Sequence, residues 1–274
     1  MVDRNAVVDR TRWSTGARSS TGKPHPGSRR RAGVSVGHVS VVVLATAVLG
    51  LIAGAYARAA AAGFDAEPDD RRESRRESRR GEVRRALAAA ARTVPLPRPP
   101  YGVEVATALA AALVAWRVHD GWVLAAWLYA VVAGSALAEI DRRTWRLPDA
   151  ITLPSYPIVL ALLMPSGRLL PALASGCALG AVYAALWFAR PAGLGLGDVK
   201  LAGLIGLLTG ALGVQATVVA GMAGQVLGAL YAVGLLLARR ATRTSEFPFG
   251  PFMLAGALVA VAFPGALPWD FTGG

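Results

Sequence analysis

The sequence is short of the residues from which most soluble active sites are built. Among 274 residues there is one cysteine, Cys177, which excludes a disulfide framework and any cluster made of cysteine pairs. Histidine occurs three times, at His25, His38 and His119, and never in the HExxH spacing of a metalloprotease helix. Lysine occurs twice, at Lys23 and Lys200, so arginine supplies almost all of the 29 basic residues. Only 17% of the chain is charged, against about 25% in an ordinary soluble domain, while 54% is hydrophobic.

A formal net charge of +12 on so apolar a chain fits a nucleic-acid binder or a membrane protein with its arginines on one side. The placement of the charge separates the two. Residues 1–100 carry a net +10 and residues 101–274 only +2. In the second part, stretches such as 121–140 and 169–189 have no polar face with which to meet water. A soluble globular fold is excluded, and no nucleic-acid partner is expected.

Residues 1–35 are polar, basic and without apolar periodicity, and read as a disordered extension. Residues 36–62 form a first hydrophobic span or anchor, long enough for the roughly 20 residues that a bilayer requires. Residues 63–100 are an Arg-rich charged loop in which Arg-Arg-Glu-Ser occurs twice in succession. Residues 101–268 hold hydrophobic blocks at about 101–117, 121–140, 150–165, 169–189, 199–212, 214–238 and 250–268, and residues 269–274 are a short tail. The fold expected is all-α: a polytopic membrane bundle of seven to eight transmembrane helices with small residues at their interfaces.

If the loop after Ile140 faces the cytoplasm, alternation places eight of the ten basic residues beyond position 101 on that side, leaving Arg117 and Arg168 outside. The 63–100 loop then also lies inside. Residues 1–35 fall outside if the first block crosses fully, which the positive-inside rule disfavours.

Each ionisable residue in such a bundle is a functional candidate unless it sits where water reaches it. Glu104, Asp120 and Asp270 lie near block ends and read as solvated. Glu139, Asp141, Asp149, Asp198 and Glu246 share the face that carries most of the arginines. The segment Pro191-Ala-Gly-Leu-Gly195-Leu-Gly197-Asp198-Val-Lys200 leads three alternating glycines into an acid. Asp198 suits either a functional role or an N-cap, because a block starts just after it. A phosphate loop does not fit, since GxxxxGK[ST] is missing and the acid would repel phosphate.

A second segment, Ile140-Asp141-Arg-Arg-Thr-Trp-Arg-Leu147-Pro148-Asp149, brings further acids to the same face, and Phe247-Pro248-Phe-Gly250-Pro251-Phe precedes the last block. With Gly195-Leu-Gly197-Asp198-Val-Lys200, these three motifs resemble the type IV prepilin peptidases, the GxGD class of membrane aspartyl proteases. The resemblance covers about residues 101–266. It implies that Asp141 and Asp198 are the catalytic pair, with Asp149 as the second, noncatalytic acid after Pro148. By the residues alone, Asp149 reads as the cap of the following helix. Lys200 matches the family's lysine after the GxGD acid, where a compact ammonium can sit beside a carboxylate; it also fits a snorkelling interfacial residue.

The chemistry implied needs no metal and no cofactor. Two carboxylates within about 3 Å share a proton, so that one activates water and the other protonates the scissile carbonyl. The substrates implied are prepilin or pseudopilin precursors, each a short basic leader followed by an apolar helix. They would be cut at the cytoplasmic face of the bacterial cell membrane, with lipid as the other partner. Glu139 and Glu246 are candidates for holding the basic leader, beside the Pro248, Gly250 and Pro251 loop. Longer family members carry a cysteine-rich first loop linked to N-methylation. The Arg/Glu-rich loop here contains no cysteine, which puts methyltransferase activity in doubt.

Two other readings remain at this level. A non-catalytic transporter or assembly component would carry ions on its acids, and predicts them at mid-membrane depth. A serine protease would use Ser175 with His119 or His38. Cys177 reads as a small buried packing residue, and Trp122 and Trp145 as interfacial anchors.

Overall fold

The computed structural model describes residues 36–62, 99–189, 194–239 and 247–263. The chain divides into residues 1–35 and 36–274, and every described residue belongs to the second unit. The N-terminal extension, most of the charged loop, Glu246 and the C-terminal tail therefore lie outside the described residues.

Eight α-helices run through the described part: α1 (Val36–Ala62), α2 (Gly102–Arg117), α3 (Gly121–Thr144), α4 (Asp149–Leu163), α5 (Leu169–Ala189), α6 (Leu196–Gly210), α7 (Val214–Leu237) and α8 (Gly250–Ala262). A 3-10 turn, Met164–Ser166, continues α4. Five of these elements are long and apolar enough to cross a membrane: Ser40–Ala62, Gly121–Thr144, Asp149–Ser166, Leu169–Ala189 and Val214–Leu237. By length and composition the first block is thus able to span.

The helices follow the hydrophobic blocks, with two informative departures. The third helix does not stop at Ile140 but runs on to Thr144, where Trp145 at φ 55° ends it in the left-handed region. The sixth starts at Leu196, ahead of its apolar block, because an acid in a first turn suits the positive end of a helix. Asp141 and Asp198 consequently sit on the last and first turns of helices rather than in loops.

Helix α6 occupies the centre. Every residue from Leu201 to Gly210 is buried, as expected of a helix that is apolar all round. It packs most extensively on α5, and the two backbones approach closely: a Cβ on Gly206 would lie 2.6 Å from the Ser175 carbonyl oxygen and 2.8 Å from Gly176 Cα. Ser175 is 5% exposed in this seam, with His119 in the α2–α3 connection. Its role is packing, and the serine-protease reading has no support. Cys177, one residue past the seam and so turned about 100° around α5, is exposed rather than buried as expected.

A second close seam joins α1 to α2 through Gly50-Leu-Ile-Ala-Gly54, where a Cβ on Gly54 would meet Glu104 Cα at 2.6 Å. This GxxxG spacing is a known device for bringing membrane helices into contact. Glu104 is not solvated, contrary to expectation. It is 1% exposed and ion-paired with Arg58, whose guanidinium also donates to the Pro100 carbonyl at 2.6 Å. The partner is supplied by a helix about 46 residues away in sequence, which block-by-block inspection does not reveal.

Arg117 and Arg168, the two arginines expected outside, donate to the Ala262 and Ala211 carbonyls, just where α8 and α6 end. Cations at helix C-termini satisfy carbonyls that lack intrahelical partners.

Two stability outcomes follow from these contacts. Gly206→Val forces a side chain into backbone and is expected to cost about 3 kcal/mol, measured as a lowered thermal midpoint in detergent. Arg58→Met leaves Glu104 buried without this partner and costs a similar amount, about 3 kcal/mol, whereas the double variant with Glu104→Gln recovers most of the loss.

Candidate active site

The end of α3 and the starts of α4, α6 and α8 meet at one end of the bundle. Asp141, on the last turn of α3, is 5% exposed, and its Oδ2 accepts a hydrogen bond of 3.0 Å from the Gly250 N–H. Gly250 opens α8, so the carboxylate lies against the positive end of that helix. A Cβ on Gly250 would stand 2.9 Å from Asp141 Oδ2, which is why glycine is needed there.

Asp198, third residue of α6, is 9% exposed, and its Oδ2 accepts from the Gly195 N–H at 3.0 Å. It is not the N-cap that the sequence allowed. Gly195 holds that position, and Asp198 reaches back to it in the manner of a capping-box acid. The charge of Asp141 acts on Asp198, so the two carboxylates are electrostatic neighbours. Neither Oδ1 bonds to another described residue, which leaves each acid an open acceptor.

Leu147 stands between the starts of α6 and α8. A Cβ on Gly197 would be 2.9 Å from Leu147 Cβ, and one on Gly250 would be 3.6 Å from Leu147 Cδ2. The loop Trp145-Arg-Leu147-Pro148 thus sets the spacing between the starts of α6 and α8. Pro148 is the N-cap of α4 and Asp149 its first residue, so Asp149 does not occupy the capping position expected of it. Its carboxylate instead pairs with Lys200 Nζ at 2.7 Å. The lysine's carboxylate partner is therefore Asp149.

The remaining candidates are placed less evenly. Glu139 is 4% exposed and accepts from Arg142 Nε and Nη2 and from Arg143 Nε at 2.7–3.0 Å, so its charge is answered by its own helix. It does not form an open acidic rim. Pro251 lies in the first turn of α8 and Pro248 in the segment before it. That segment is held by aromatic contacts: Tyr231 lies 5.8 Å from Phe247 and 4.9 Å from Phe252, and Phe249 lies 6.5 Å from Tyr183.

Three residues at the site carried no sequence signal. Leu147 is one apolar residue among many. Tyr183, 2% exposed on α5, neighbours Asp198. Tyr156 of α4 donates its hydroxyl to the Lys200 carbonyl at 2.7 Å. A tyrosine in an apolar block is the only hint available, since a buried hydroxyl needs a partner.

Among the described residues, no three His, Cys, Asp or Glu side chains converge as metal ligands. The acids sort into two kinds. Glu104, Glu139 and Asp149 are paired with basic side chains, and Asp120 caps α3 through the Trp122 and Val123 N–H groups. Asp141 and Asp198 have backbone N–H partners and, among the described residues, no cation.

A helical bundle with large apolar side chains on its outer faces and buried acids at one end is a polytopic membrane protein. Residues 122–233 match the family model described as the type IV leader peptidase family. Asp141 and Asp198 both lie within that matched segment. Similar proteins include the prepilin leader peptidase/N-methyltransferase of Aeromonas salmonicida (strain A449), 30% identical over 196 residues, covering 66% of this chain and 62% of that one. The protein of the same name from Pseudomonas putida is 32% identical over 167 residues, covering 58% and 57%. The chain thus spans about three fifths of the length of these curated relatives. No solved structure matches it.

Proposed function

We propose that this chain is a membrane-embedded aspartic endopeptidase that removes the short basic leader of prepilin-like proteins, with Asp141 and Asp198 as its catalytic pair. The observation that carries the reading is that these are the buried acids without a cationic partner among the described residues. A charge taken out of water is costly unless paired, so an uncompensated carboxylate pair marks a site kept for chemistry rather than for stability. In the reaction, one carboxylate accepts a proton from water as its oxygen attacks the scissile carbonyl carbon. The other carboxyl protonates the carbonyl oxygen, and the tetrahedral intermediate expels the amine as it takes up a proton.

The cytoplasmic face of a bacterial cell membrane is the location this reading implies, with five basic residues, Arg142, Arg143, Arg146, Lys200 and Arg239, at the acid-bearing end or adjoining it by helix alternation. The acids lie on terminal helical turns rather than at mid-helix, which favours a protease over an ion-carrying transporter. The relatives' printed name also includes an N-methyltransferase. With one cysteine in the chain, our proposal extends to the peptidase alone. The basic leader would be met without Glu139, whose charge is already neutralised.

Co-expression with a leader-bearing pilin precursor tests the assignment. Asp141→Asn and Asp198→Asn are each expected to lower leader removal by about a thousandfold while the protein stays in the membrane. Efficient processing by either variant would sink the role of that residue. In the same assay Gly250→Ala, which pushes on Asp141 Oδ2, is expected to slow cleavage about tenfold, roughly 1.4 kcal/mol of barrier.

A further inference from the structure

The residue after next to Asp198 is held from two directions by one helix. Lys200 gives its ammonium to Asp149 at the start of α4, at 2.7 Å, and its carbonyl oxygen to the Tyr156 hydroxyl, also at 2.7 Å, two turns along the same helix. Gly203, one turn further along α6, leaves room for that hydroxyl, since a Cβ there would collide with it. The preceding turn is fixed as well, because Leu147, just before α4, packs against Gly197. Asp198 therefore stands between two points that are both set by the Leu147–Tyr156 stretch.

We propose that Asp149, Lys200 and Tyr156 form a clamp by which α4 sets the direction of Asp198 toward Asp141, making all three positioning residues of the acid pair. The inference rests on the peptidase reading above for its kinetic consequences, though not for its geometry. A helix start is the part of a helix most free to fray, because its first N–H groups lack intrahelical partners. Asp198 lies on such a start. Without a tie, the first turn of α6 would carry the carboxylate through a range of directions, whereas acid–base chemistry requires placement to within about 0.5 Å. The ammonium suits the task because it makes a point contact to one carboxylate oxygen, leaving the planar fork of arginine unneeded. Both side chains are about a third exposed, at 36% for Lys200 and 34% for Asp149. A pair this open contributes little to stability, which makes orientation the more telling role.

The test uses the full chain in membranes, in a Cys177→Ala background that removes the exposed native thiol. Asp149→Asn and Lys200→Met are each expected to lower kcat for leader removal at least tenfold with KM changed less than threefold. Exchanging the pair, Asp149→Lys with Lys200→Asp, is expected to restore at least half of the lost rate, which a role of either charge acting alone would not allow. Tyr156→Phe lowers kcat about threefold to tenfold. A second arm is independent of activity: Asp198→Cys is labelled with a hydrophilic maleimide, and either single change is expected to alter its labelling rate at least fivefold, with the exchanged pair returning it to within twofold. Wild-type kcat or wild-type labelling in the single variants, or an exchanged protein no better than the singles, overturns the clamp. Should the unaltered chain cleave no leader-bearing substrate, the peptidase reading falls, and the labelling arm still decides the clamp.

Discussion

The structure depends on burying a helix on all sides while starting it with a carboxylate. Helix α6 can lie at the centre because glycines bring α5 almost into backbone contact with it, as at Gly206 against Ser175 and Gly176. Dispersion between close backbones replaces the hydrophobic effect, which lipid does not supply between helices. Burying that helix also draws its first turn inward, and Asp198 with it. The acid is then satisfied locally by the Gly195 N–H rather than by a cation.

The other charges follow from the same economy. Arg58 answers Glu104 across the α1–α2 seam, Arg142 and Arg143 answer Glu139 along one helix, and Lys200 answers Asp149 between α4 and α6. At the opposite end, Arg117 and Arg168 meet carbonyls at helix ends. Against this background Asp141 and Asp198 are the exceptions among the described residues, each held by one backbone N–H with its second oxygen open to them. A candidate site is recognisable here by what its charges lack, and the lack has meaning because the other buried acids among the described residues are compensated.

Much of this was legible in the residues. Apolar blocks located the helices because a membrane-crossing segment must be continuously apolar and internally hydrogen-bonded, which leaves few alternatives. Gly195-Leu-Gly197-Asp198 and Asp141 stood out because acids are scarce after position 101. Partners were not legible. Glu104 read as solvated although α1 supplies its guanidinium, Cys177 read as buried although it faces outward, and Asp149 read as a cap although it pairs with Lys200 51 residues away in sequence.

By itself, then, the sequence determined the all-helical membrane bundle, the helix order and the identity of the uncommon acids, because hydropathy and scarcity are local properties. Only the tertiary structure decided which acids are neutralised and which are not. That depends on the rotation of each helix about its axis and on contacts between residues 46 to 109 positions apart, such as Arg58 with Glu104 and the Gly250 N–H with Asp141. Rotation is set by where glycines let backbones approach, and no single block of sequence contains both sides of such a contact.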